Sequence, residues 1–313
     1  MTRTGNAGAP GRRLPRGGAV AARARRFVGR YGLDYLFISP FFILYAAFGI
    51  YPLLYSITLS FHQWAGAGAW EWVGLANYAD YVFKDELFGK VLGNTLVYWA
   101  ILIPVMTLLA LVLAVLLNQP HLRLIGFFRT VYVLPYIVSI VAVAIIFLNL
   151  LDDNVGWINY FLTQLGLERV KWLGSTAWSK TSVVILVVWK WVGYNMLIML
   201  AGLQSVPDEI YEAAMIDGAG ATRRFFSMTV PLMRPVILFA MVLTTIGTFN
   251  MFAEPFILTD GGPRNSSDTL GTLLYRTAFR FGRFGAAAAL SVIIAVLVLG
   301  FSLAQFRFLE RRK

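Results

Sequence analysis

The chain has 313 residues, of which 58% are hydrophobic and only 14% charged, against about a quarter charged in soluble domains. A mean hydropathy of +0.67 over this length is too apolar for a single water-soluble core and points to lipid as the solvent. The net charge of +11 raises nucleic acid as a partner, but the charges lie between long apolar runs rather than on one patch, which argues against it; the absence of cysteine excludes disulfides, thiol catalysis and thiolate metal sites.

Residues 1–34 open with eight arginines and no acid before residue 31, in a Gly-, Ala- and Pro-rich context that predicts a disordered cytoplasmic tail. Arg25 and Arg26 match a twin-arginine export signal in charge alone. The apolar run that follows is too long for a signal-peptide core, and no small-residue cleavage site comes after it. Six apolar runs then predict six transmembrane helices over residues 35–306: 35–61, 94–117, 130–151, 181–206, 235–253 and 284–306. Each is close to the roughly 20 residues that a helix needs to cross the hydrocarbon. Pro40, Pro52, Pro104 and Pro135 lie inside these runs and are compatible with membrane helices, where neighbours satisfy the freed carbonyls. A basic tail, residues 307–313, closes the chain.

Lys and Arg counts give the orientation. With both termini inside, the cytoplasmic segments carry 17 of them and the outer loops nine, as the positive-inside rule favours. Six tryptophans, from Trp64 to Trp178, fall in the outer loops as interfacial anchors.

The connection 204–234 is unlike the others, because a mere link between two membrane helices could be far shorter. Ser205 and Asp208 read as a capping box with Pro207 in the first turn. Ile210, Ala213 and Ala214 share a face, Gly218 and Gly220 stop the helix, and Thr222 caps a second short helix through Phe226. The expectation is a helix–turn–helix on the cytoplasmic face.

Glu212-Ala213-Ala214, then Gly218, then nine residues and Met228-Thr229-Val230-Pro231 resembles the EAA loop of binding-protein-dependent ABC-transporter permeases. Met228 and Val230 replace the usual Ile and Leu. Further stretches are similar to the carbohydrate-uptake, maltose-transporter-like branch: Tyr51-Pro52-Leu53 to Ser60-Phe61, Val73 to Tyr78, Phe128-Arg129-Thr130 with Leu134-Pro135, and Leu258 to Pro263 with Tyr275 and Phe279. The resemblance implies an all-α, type I importer permease fold in the cell (inner) membrane. It also implies a second permease subunit, two ATPase subunits and an extracytoplasmic solute-binding protein as partners. It further implies that Glu212, Ala213, Ala214, Asp217 and Gly218 form a coupling helix that docks into the ATPase. Arg223 and Arg224 are read either as rim charges of that contact or as solvated, headgroup-facing residues.

No phosphate-binding loop is present, since Gly89-Lys90 is followed by Val91, so ATP and its Mg would reside on the partner subunit and this chain is expected to be non-enzymatic and without its own cofactor. No catalytic constellation or metal-ligand spacing stands out. Lys190 is the one charge inside the fourth apolar run, with Trp191, Tyr194, Asn195 and Ile198 in a stripe beside it. Gly247, Asn250 and Glu254 form a second stripe at i, i+3, i+7 on the fifth run. Aromatic faces and neutral amides suit a sugar. Two readings stay open: a solute pathway, or a structural Lys190–Glu254 pair with aromatic packing around it. The alternative function is a secondary carrier or channel without an ATPase partner, which would need no such cytoplasmic loop.

Overall fold

The computed structural model describes residues 16–119 and 123–310 and is mostly helical. The chain divides into two compact units at Tyr55 and Ser56. The first contains α1 (Arg16–Tyr45), a π-helical turn (Ala46–Ile50) and the start of α2 (Tyr51–Leu59). Helix therefore begins at Arg16, inside the segment expected to be disordered: its Ala and Arg content is favourable to helix. Residues 1–15 of that tail, like His121 and residues 311–313, lie outside the described residues.

In the second unit a two-stranded ribbon, β1 (His62–Gln63) and β2 (Glu71–Trp72), and α3 (Ala76–Tyr78) precede the long helix α4 (Glu86–Leu116). Asp85 caps α4 by accepting from Leu87 N–H at 2.8 Å. Next come α5 (Ile125–Ile137), α6 (Ile140–Leu150), α7 (Trp157–Gln164) and α8 (Trp178–Gln204). The remainder is α9 (Asp208–Ile216), α10 (Ala221–Arg224), α11 (Val230–Leu232), α12 (Arg234–Phe249), α13 (Ala253–Thr259), α14 (Leu270–Tyr275) and α15 (Phe284–Glu310).

Among the described residues, four helices are long and apolar enough to cross a membrane: residues 31–59, α4, α8 and α15. Two further spans are bent. The pair α5 and α6 meets at 97°, and the segment 221–232 meets α12 at 67°, which gives six spans if each bent pair counts as one. The third apolar run is thus not the continuous helix its hydropathy suggests. Pro135 supplies no N–H, and Val138 and Ser139 adopt extended ψ angles of 143° and 133°, which stops α5 two residues before α6 starts.

Helix α4 is the axis of this unit. Tyr98, Leu102 and Met106 pack against Val143 and Phe147 of α6 and Val183 and Leu186 of α8. Further along, Ala110, Leu111 and Ala114 meet Met196, Met199 and Leu203 of α8 and Ile237 and Ala240 of α12. Near its start, Phe88 and Val91 join Phe249, Leu270 and Leu290. Small residues bring helices together, as is usual in membranes. A Cβ at Gly193 would run into the Tyr132 carbonyl, so α8 and α5 touch backbone to backbone there.

The segment joining α13 to α14 is locked by polar contacts. Asp268 is buried and accepts from Arg276 at 2.7 Å, and Arg276 also reaches Asp260 at 3.0 Å. Asn94 and Tyr98 of α4 donate to carbonyls of Asn265, Ser267 and Asp268. Thr269 and Thr272 form a capping box at the start of α14.

Candidate functional site

A cavity of about 110 Å³ lies between α4, α8, α12 and α13. Leu102 and Met106 form one wall, Trp191, Tyr194 and Asn195 a second, and Thr244, Gly247, Thr248 and Glu254 the third. The two helical stripes anticipated on the fourth and fifth runs therefore do converge at one place, but not with every member.

Trp191 and Tyr194 present aromatic surface to the cavity, held by Tyr136 of α5, which stacks on Tyr194 with ring centroids 4.8 Å apart and meets Trp191 edge-on at 5.4 Å. Asn195 is buried; its Nδ2 donates to Trp191 O at 3.2 Å and its Oδ1 accepts from Thr244 Oγ1 at 3.4 Å. Asn250 is not part of this site. Helix α12 ends at Phe249, so the stripe through Gly247, Asn250 and Glu254 is broken. Asn250 is exposed, donates to Ile246 O in its own helix, and borders a separate groove with Leu274, Ser291 and Ser302. Thr244 and Thr248 take its place in the cavity wall. Their spacing of four around Gly247 is the sequence signal that could have found them.

Lys190 and Glu254 form no ion pair. Lys190 is only 4% exposed, and its ammonium donates to the carbonyls of Pro135, Tyr136 and Val138 at 3.3, 3.5 and 2.7 Å. These are carbonyls freed where α5 ends, and a cation at a helix C-terminus satisfies both their hydrogen bonding and the helix dipole. Glu254 instead accepts from Trp191 Nε1 at 3.3 Å. The indole thus stands between the two charges, with the ammonium 5.9 Å from its ring centroid.

The second element is the loop 204–234. Helix α9 starts after Pro207 without a side-chain cap, because Ser205 Oγ donates back to Gly202 O at 2.7 Å and closes α8 instead. The anticipated capping box is therefore not formed. Thr222 does not cap either: Gly220 precedes α10, and residues 225–229 widen into a π-turn. The stop at Gly218 is as expected. Gly218 has φ +74°, its N–H reaches Met215 O at 3.0 Å, and Ala219 N–H reaches Ala214 O at 2.9 Å, a Schellman closure with Ala214 and Ala219 both buried. Glu212, Ala213, Asp217 and Gly218 are exposed, Ala214 faces inward, Ile210 is half-buried and Ile216 is 87% exposed. The helix thus turns one small residue into the chain and offers the rest outward. Tyr211 OH lies 3.3 Å from Thr229 Oγ1 and ties α9 to the returning segment.

Residues 106–313 match the model of the binding-protein-dependent transport system inner membrane component. The chain is 38% identical to the lactose transport system permease protein LacF of Rhizobium radiobacter, over 89% of this chain and 94% of the relative. It is 34% identical to the sn-glycerol-3-phosphate transport system permease protein UgpA of Yersinia pestis, over 90% and 95% of the two chains. It is 32% identical to the arabinooligosaccharides transport system permease protein AraP of Bacillus subtilis, over 90% of each. Among solved structures, a chain of a bacterial ABC transporter involved in the import of the acidic polysaccharide alginate superposes with a TM-score of 0.79 at 24% identity, over 92% of this chain and 99% of that one. That likeness speaks for the fold. The protein is an all-α membrane permease with the type I importer fold. It belongs to the inner-membrane components of binding-protein-dependent transport systems.

Proposed function

We propose that this chain is one permease subunit of an ATP-driven importer for a sugar or sugar-like solute. The observation that carries the reading is the exposed, Gly218-terminated helix α9, which bears the EAA residues in a chain of this family. Helix α9 is short and presents Glu212, Ala213 and Ile216 outward, with Asp217 exposed at its C-cap, the form a helix takes when it seats in a groove on a partner. The partner is an ATPase subunit that holds ATP and Mg, so the chain itself performs no hydrolysis. A second permease and an extracytoplasmic binding protein complete the machine, and both termini lie in the cytoplasm. Relatives named for lactose and arabinooligosaccharides support a sugar as cargo, and the aromatic and amide groups around the cavity suit one. At about 110 Å³ the cavity is below the roughly 300 Å³ of common ligand pockets, so the solute is accommodated when the helices part or when the second permease adds its wall.

The test is purification of the tagged chain from its native membrane, reconstitution of what co-purifies, and assay of sugar uptake with and without ATP. Recovery of an ATPase and ATP-dependent accumulation are expected. Uptake driven by an ion gradient without ATP would overturn the reading.

A further inference from the structure

Among the described residues that line this cavity, Glu254 is the one charged side chain. Glu254 is 8% exposed and lines the wall, and Trp191 is the one donor that the described residues supply to it. A carboxylate offers two oxygens and several acceptor positions, so most of its capacity stays free to meet a solute. The nearest cation cannot answer it at short range. Lys190 has three N–H donors, and three backbone carbonyls at the α5–α6 break take them. The other groups around the cavity are neutral: Asn195, Thr244 and Thr248 beside apolar and aromatic side chains.

We infer that Glu254 is a specificity-determining residue that makes the cavity a charge filter: it accepts hydrogen bonds from the hydroxyls of neutral sugars and turns anionic solutes away. The inference rests on the importer reading above. Sugar hydroxyls are donors, and vicinal pairs can engage both carboxylate oxygens. A uronate, aldonate or sugar phosphate brings a second negative charge against a mostly apolar wall, where repulsion is weakly screened and no free N–H compensates it. Lys190 supports the filter from behind, because its carbonyl clamp holds α5 where Tyr136 braces Trp191, and Trp191 orients the carboxylate.

The experiment compares two neutral probes, lactose and arabinobiose, with their aldonic acids, lactobionate and arabinobionate. Binding is measured by titration calorimetry on the purified transporter without its binding protein, so that the latter's preferences do not enter. Uptake of the neutral probes by proteoliposomes is measured in parallel. Each neutral probe is expected to bind wild type about tenfold or more tightly than its acid. Glu254→Gln is expected to close most of that gap, and Glu254→Asp to keep it. Should Glu254→Gln fail to assemble, the Glu254→Asp complex with its gap lost, or a wild type without a gap, overturns the inference. A gap that persists unchanged in Glu254→Gln overturns it too while wild-type uptake leaves the importer reading standing. The absence of both binding and ATP-driven uptake of the neutral probes in wild type overturns both.

Discussion

Lys190 and Glu254 lie on either side of the Trp191 indole and do not bond to each other: the ammonium is spent on the Val138 carbonyl at 2.7 Å and its neighbours, while one oxygen of the carboxylate accepts from the indole N–H. A salt-bridge account and this arrangement give different mutant energetics. Lys190→Met should destabilise the purified complex by about 2–3 kcal/mol, since it strands carbonyls at the α5–α6 break. Adding Glu254→Gln should not rescue it. A double-mutant cycle read by thermal or denaturant unfolding should show coupling below about 1 kcal/mol, whereas a true buried pair would give substantially more.

The backbone contact between α8 and α5 leaves no space at Gly193. Gly193→Ala is expected to cost about 1–3 kcal/mol through overpacking, and Gly193→Val to prevent assembly. Gly247, with nothing within 4 Å of its absent Cβ, is the control: Gly247→Ala should assemble normally. The yield of intact complex by size-exclusion chromatography decides between them.

Coupling is tested at three positions of the α9 segment. Glu212→Lys and Gly218→Val should cut both uptake and transport-stimulated ATP hydrolysis, the second because a branched side chain is strained at φ +74° by about 1–2 kcal/mol. Ile216→Asp is the sharpest of the three. At 87% exposed, Ile216 contributes little to the chain's own packing, so this substitution should weaken ATPase capture while leaving the thermal stability of the permease within about 0.5 kcal/mol. Undiminished capture would remove Ile216 from the interface.

The two asparagines separate cavity from periphery. Asn195→Ala removes an amide from the cavity wall and should alter the relative rates of several sugars. Asn250→Ala touches another groove and should leave every relative rate unchanged, whatever it does to assembly. Transport normalised to intact complex measures both.

Orientation is open to a direct check. A phosphatase fused after residue 168 should be active from outside, and one after residue 217 inactive. The reverse pattern would overturn the proposed cytoplasmic placement of α9, and the proposed ATPase contact with it.

Hydropathy made the spans legible because long uncharged runs have no other stable home. It did not reveal the break at Val138 and Ser139, for a proline such as Pro135 is equally at home in an unbroken membrane helix. Gly218 was legible because a left-handed stop favours glycine. Ser205 was misread, because a hydroxyl between two helices can cap the one that ends as well as the one that begins. Half of the cavity was legible in the Trp191, Tyr194 and Asn195 stripe. The environment of Lys190 was not, because its partners are main-chain carbonyls more than fifty residues away, and main-chain atoms leave no side-chain signature in sequence.

Helix α4 is bonded to the locked segment between α13 and α14 through Asn94 and Tyr98 and packed, through Ala110 and Ala114, against the helices that flank α9. It therefore works as a lever with a handle at each face of the membrane. Its one internal proline, Pro104, lies between Leu102 and Met106, the two residues that α4 contributes to the cavity. Proline withholds a helical hydrogen bond and softens the rod at that level. Tilting either handle thus flexes the lever at the level of Leu102 and Met106, so that a motion begun at one end is felt as a change in the shape of the chamber between them.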